Sequence, residues 1–154
     1  MNKSISLRTA NLDDLETLLQ FEQGVVEAER PLDPFLADRD ICYYNIPELI
    51  TAEHINFVVA IFNEEIVACG YVRIDNSKIY QKNPQHGYVG FLYVKPNFRG
   101  QKISTIILES LKEWATKKGL KELRLDVYNN NIAAIKPYEK FGFTKILVNM
   151  RMDI

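Results

Sequence analysis

The chain has 154 residues, 47% of them apolar and 25% charged, which supplies one core for a domain of ordinary size. A formal net charge of −1 excludes a nucleic-acid binder that relies on bulk electrostatics. No run approaches the roughly 20 apolar residues that cross a membrane, and Met1 to Arg8 lack the apolar stretch of a signal peptide, so a cytoplasmic protein with one domain over residues 1–154 is expected. Cys42 and Cys69 read as reduced thiols, a lone disulfide being the other arrangement, and His54 and His86 are too few for a zinc site, so no metal is expected.

In chain order, Ile5-Ser6-Leu7-Arg8 alternates like a strand. Asn11 is a good N-cap, with Asp13 and Asp14 in the first turn and Leu15, Leu18, Leu19 and then Val25 or Val26 at helical spacing. From Glu27 to Pro47 the pattern is irregular; Pro31, Pro34 and Pro47 act as breakers around a short helix or loop. Ile55 to Phe62 predicts a buried strand, Asn63-Glu64-Glu65 a tight turn, and Ile66 to Ile74 its hairpin partner. The polar stretch Asp75 to Gln85 is a loop, and Gly87 to Val94 a strand in which Gly90 marks a bulge or a close backbone approach.

Ile103 to Lys118 predicts a helix with an apolar stripe of Ile103, Ile107, Leu111 and Ala115, stopped by Gly119. Leu123, Leu125 and Val127 mark another strand, Asn131 to Phe141 a short helix, kinked or truncated by Pro137, and Thr144 to Met152 a final strand. The mixture predicts an α+β fold around one central sheet.

Between the strand ending at Val94 and the helix lies a basic, glycine-containing turn, Lys95-Pro96-Asn97-Phe98-Arg99-Gly100-Gln101-Lys102. Such a turn is an anion site, because the first N–H groups of a helix lack intrahelical partners and its dipole adds partial positive charge. The expected ligand is therefore phosphorylated.

With the later block Val127 to Phe143, this turn resembles the GNAT family of acetyl-CoA-dependent N-acyltransferases. Val94, Pro96, Arg99 and Gly100 fit its pyrophosphate turn, V-x-P followed by R/Q-x-x-G-x-G/A; Lys102 and Ser104 replace small glycine-type residues. Lys102 either crowds the phosphates or supplies them a cation. Asn131, Ala134, Ile135, Tyr138, Gly142 and Phe143 fit the second motif, N-x-x-A-I-x-x-Y-x-x-x-G-F. The resemblance implies an α/β/α fold with a mixed, mainly antiparallel sheet and helices on both faces.

It also implies acetyl-CoA as co-substrate, held by the backbone of Leu92, Tyr93 and Val94, by Arg99, Gly100, Gln101, Lys102, Ile103, Ser104 and Thr105, and by Asn131 and Tyr138. Tyr138 becomes the general acid beside the sulfur, and the strand N–H groups polarise the thioester carbonyl. The carboxylate that many relatives carry in the strand before V-x-P is missing, since Gly90 and Phe91 stand there. Asp126 is the candidate catalytic carboxylate instead, with His86 and Glu22 behind it. The acidic stretch of residues 10–53 faces a basic stretch beyond residue 94, which suits a cationic primary amine and an anionic cofactor. Monomer and homodimer both stay open, and the competing reading is a non-catalytic acyl-CoA sensor or scaffold.

Overall fold

A computed structural model describes residues 4–154. Its elements are β1 (Ser6–Thr9), α1 (Leu15–Glu29), α2 (Ile46–Thr51), β2 (Ile55–Phe62), β3 (Glu65–Asn76), β4 (Gln85–Val94), α3 (Ile103–Lys117), β5 (Leu123–Arg124) and α4 (Ile132–Phe141). The five strands form one sheet in chain order; β1 to β4 are antiparallel and β5 joins β4 in parallel. Helices cover both faces. Leu18 and Phe21 of α1 and Ile46 and Leu49 of α2 pack with Phe57, Tyr71 and Phe91 on one face. Ile103, Ile107, Leu108 and Leu111 of α3 pack with Val58, Val67, Val72 and Val89 on the other.

Local chemistry accounts for most boundaries. Asn11 caps a 3-10 turn (Leu12–Asp14) reciprocally with Asp14, and α1 continues from it. Asp14 is also held by both guanidinium nitrogens of Arg8, at 2.7 and 2.8 Å, which ties helix entry to β1 and draws the Asp14 carboxyl below its usual range. Asn63 and Glu64 take positive φ, 47° and 65°, which suits the tight hairpin between β2 and β3. The α3 stripe is fully buried, each large side chain contributing about 1.5–3 kcal/mol by leaving water.

Three expectations are corrected. Pro47 lies in the first turn of α2, where its missing N–H costs nothing, and Asn45 caps that helix; it begins a helix instead of breaking one. Pro137 lies inside α4, which nevertheless runs its ten residues. The final strand over Thr144–Met152 does not form, and Leu125 and Val127 fall outside β5. Pairing of β4 with β5 stops after Gly87↔Leu123 and Tyr88↔Arg124, so no regular edge is left for a further strand to extend. The last segment is anchored at both ends, by the Phe143 N–H donating to the Tyr138 carbonyl and by Arg151 paired with Asp33. Between those anchors Ile146, Leu147 and Met150 are about nine-tenths exposed.

Candidate active site

The splay of the sheet is the key feature. Past Tyr88, β4 has no partner on its β5 side, and against β3 its register slips between Cys69↔Tyr93 and Tyr71↔Gly90. Two residues of β4 thus crowd opposite one of β3, and Phe91 takes a positive φ of 50°, an uncommon conformation for a bulky residue. Neighbours hold it there. The Cys69 thiol donates to the Phe91 carbonyl at 3.4 Å, and the Tyr44 ring stacks on Phe91 at 4.4 Å and 14°. Gly90 is required by close approach, since a Cβ there would stand 2.5 Å from the Tyr71 hydroxyl oxygen.

Leu92, Tyr93 and Val94 follow the bulge, all half-buried. Leu92 packs on the α3 side, and Tyr93 leans on α1, its ring 4.7 Å from that of Phe21. The strand exits through a 3-10 turn (Pro96–Phe98) closed by Arg99, whose Nε donates to the Val94 carbonyl at 3.0 Å. Gly100 and Lys102 both take left-handed backbone, at φ 79° and 61°. For Lys102 this conformation costs about 1–2 kcal/mol that glycine would avoid. Its backbone turns the chain into α3, and its exposed side chain makes no capping bond there. The first N–H groups of α3, on Ile103, Ser104 and Thr105, are consequently left without intrahelical partners. Gln101 is exposed beside them, Ser104 and Thr105 are half-buried, and Ile103 anchors the helix start in the core.

After β5 the chain forms α4. Asn131 caps it by accepting from the Ala134 N–H at 3.3 Å. Tyr138 packs against the α3 cluster, and burial, reinforced by the charge of Glu29, pushes its phenol up to about 12. At neutral pH it therefore holds its proton. Asp126 is exposed and accepts a hydrogen bond from the Tyr88 hydroxyl at 3.1 Å, across the gap between β4 and β5. Arg73 lies over the Tyr88 ring at 5.1 Å and is paired with Asp75.

The two reserve carboxylate and imidazole candidates have other roles. Glu22 is wholly buried, and its Oε2 accepts from the N–H groups of Tyr43 and Tyr44 at 2.9 and 2.8 Å, fastening the chain between α1 and α2 onto α1. His86 shares a 2.8 Å hydrogen bond with the Ser77 hydroxyl and braces the β3–β4 loop; burial lowers its pKa. That loop lines an open hollow of about 470 Å³ that carries Lys78 and Lys82 and no carboxylate.

Sequence reasoning missed the phenols of Tyr43, Tyr44, Tyr88 and Tyr128. Tyr43 and Tyr44 come from the connection between α1 and α2, Tyr88 from β4 and Tyr128 from beyond β5. Tyr128 donates to Asp33 at 2.6 Å. The Tyr43-Tyr44 doublet between prolines was the one available signal. Among the described residues, no three His, Cys, Asp or Glu side chains are grouped to hold a metal, and no helix is long and apolar enough to cross a membrane.

Comparison with known proteins matches this fold. The acetyltransferase (GNAT) family model matches residues 12–143. An N-alpha-acetyltransferase of Saccharolobus solfataricus is 26% identical over 151 residues, covering 95% of this chain and 84% of its own. In fold, a predicted acetyltransferase of Clostridium acetobutylicum crystallised with acetyl-CoA superposes with a TM-score of 0.76 at 18% identity, over 97% of this chain and 96% of that one. Glucosamine-6-phosphate N-acetyltransferase of Arabidopsis thaliana gives 0.70 at 16% identity, over 97% and 98%.

Proposed function

The chain belongs to the acetyltransferase (GNAT) family, and from that premise we propose that it moves the acetyl group of acetyl-CoA directly to a primary amine of a small molecule or peptide. The observation that carries this reading is the left-handed pair Gly100 and Lys102, which delivers the unpartnered N–H groups of α3 beside a splayed strand. These groups fit a pyrophosphate, and a Cβ added at Gly100 would meet nothing within 4 Å, so the backbone there is open to a ligand. Arg99, Gln101, Lys102, Ser104 and Thr105 would hold the phosphates, and Asn131 and Tyr138 the arm that leads to the thioester.

The bound co-substrate supplies an acetyl thioester; the chain supplies the rest. Backbone N–H groups of the Leu92–Val94 strand, which has no partner on its β5 side, polarise the carbonyl, a contribution of several kcal/mol when donors are fixed in advance. Tyr138 gives its proton to the departing sulfur. Asp126, oriented by Tyr88, draws the amine in as its ammonium form, helped by the acidic residues of α1 and the α1–α2 connection. Thiol release from acetyl-CoA with a panel of primary amines tests the reading, and tight acetyl-CoA binding without turnover on any amine would sink it.

One observation favours a second reading, an acyl-CoA sensor. Tyr71 fills the space beside Gly90, where many relatives carry a carboxylate. Calorimetric binding with a flat activity screen is its expected signature.

A further inference from the structure

Residues 144–154 carry a strand pattern and pair with nothing in their own chain. Ile146, Val148, Met150, Met152 and Ile154 alternate with Lys145, Leu147, Asn149, Arg151 and Asp153, so one face of such a strand is apolar throughout and the other carries every charge. Among the described residues no backbone hydrogen bond reaches this stretch. Its apolar side chains run from 73% exposed at Val148 to fully exposed at Ile154. Released N–H and C=O groups beside an apolar face are a template for another strand, and chains ordinarily blunt such a template with proline or with charges on the apolar face. This one has neither. The segment is nevertheless held at both ends, by the Phe143 N–H and by Arg151 on Asp33, which Tyr128 and the Phe35 N–H also grip. Pairing it therefore costs less entropy than ordering a free tail.

The same segment of a second copy fits this template. A two-fold axis sets a strand antiparallel to its own copy, which is the geometry of an antiparallel ladder. Directly opposite residues share a face, so the apolar faces coincide only when even numbers meet even numbers. With the axis at Asn149, Lys145 falls opposite the partner's Asp153, Ile146 opposite the partner's Met152 and Val148 opposite the partner's Met150. An axis at Val148 would set Lys145 against the partner's Arg151, and one at Met150 would set Leu147 against the partner's Asp153. Charge thus selects Asn149, since like charges directly opposite destabilise a pair.

A feature outside the segment agrees with that register. It brings the partner's Ile154 opposite Thr144, next to an open hollow of about 380 Å³ whose lining includes Ala115, Leu120, Leu123, Phe141 and Phe143. An apolar hollow thus lies where the partner's fully exposed isoleucine ends. Six apolar side chains as exposed as these, with the backbone between them, hold about as much surface as the roughly 800 Å² per partner of a specific interface.

We infer that the chain forms a symmetric dimer in which residues 144–154 of two copies pair as antiparallel strands about an axis at Asn149. The strand that alternation predicts over Thr144–Met152 then forms between copies instead of within one. The dimer stands apart from the acetyl-transfer reading, because it needs neither co-substrate nor amine.

The test follows the mass of the full chain by sedimentation equilibrium and light scattering, from about 1 to about 100 μM. Wild type is expected at twice the chain mass. Val148→Asp combined with Met150→Asp sets like charges opposite one another at positions exposed in a single copy, so it should give a monomer at about 100 μM with unchanged circular dichroism. Lys145→Glu should raise Kd about tenfold, and adding Asp153→Lys should bring it back. On a Cys42→Ser background, Asn149→Cys should cross-link to its copy on mild oxidation. Leu147→Cys should not, because its two copies lie about 13 Å apart along the ladder. A wild-type chain that stays monomeric overturns the inference, as does a dimer that survives the paired aspartates. Cross-linking at Leu147→Cys in place of Asn149→Cys, or a charge exchange that rescues nothing, overturns the register and with it the pairing.

Discussion

The two walls of the splayed sheet are built on opposite principles. On the side proposed for the cofactor, from Val94 to Thr105, backbone conformation shapes the surface: Gly100 and Lys102 turn the chain and the start of α3 presents N–H groups, with Arg99, Gln101 and Lys102 exposed. On the side proposed for the acceptor the work falls to side chains gathered from α1, the α1–α2 connection, β4 and the chain beyond β5. Glu22 shows the contrast best, as a wholly buried carboxylate whose purpose is to fasten Tyr43 and Tyr44 in place. A backbone site keeps its ligand class through many side-chain changes. A side-chain site can be retuned to another amine by altering a single anchor.

Substitutions can break either wall separately. The largest effect is expected from Glu22→Ala, which strands the Tyr43 and Tyr44 N–H groups; at about 1–3 kcal/mol for each donor left unpaired, stability should fall by about 2 kcal/mol or more in chemical denaturation. Retained stability would show that the connection holds itself. Tyr138→Phe keeps the ring packing and removes the proton donor, so kcat should drop roughly 100-fold in steady-state assays with acetyl-CoA affinity unchanged. An equal loss of affinity would make Tyr138 a binding residue only. Gly100→Val forces a branched side chain to φ 79°, and the strain of about 1–3 kcal/mol should weaken acetyl-CoA binding about tenfold by calorimetry, with kcat at saturation little altered.

The smallest effect lies outside both walls, at the entry to α1. Arg8 holds the Asp14 carboxyl below its unfolded value of about 3.9, so the pair's contribution is complete above that pH and is lost as acid protonates Asp14 in the folded chain. Wild type should therefore exceed Arg8→Ala in thermal stability near pH 6, with the gap closing below about pH 4. A gap that widened in acid would remove the ion pair from the account.

The reading of the chain divides along the same line as its site. Hairpin and helix boundaries came out of local rules, because alternation in Ile55–Phe62, the turn at Asn63-Glu64 and the stripe on α3 are each decided within a few residues. The turn before α3 was legible for the same reason, down to the departure at Lys102, which the fold accommodates by left-handed backbone. Glu22 was not legible as a structural group. Nothing in the sequence separates it from the other acidic residues of its stretch, and only the fold buries it against the Tyr43 and Tyr44 N–H groups. The final strand failed for a related reason, since alternation in Thr144–Met152 says a segment can pair and says nothing about whether an edge is available.

By itself, then, the sequence determined the order of elements as far as α4, the core positions of the central strands and the turn before α3 that is proposed to bind an anion, since these depend on interactions between near neighbours along the chain. Tertiary structure decided the rest. It bulged β4 at Gly90 and Phe91, put the Tyr71 hydroxyl where a carboxylate was sought, and consigned Glu22 to a structural role. It also raised the Glu29 carboxyl by burial, against a hydrogen bond from Tyr43 that draws it down. Desolvation and long-range charge act through space, so a carboxylate acquires its chemistry only when the chain has chosen its neighbours.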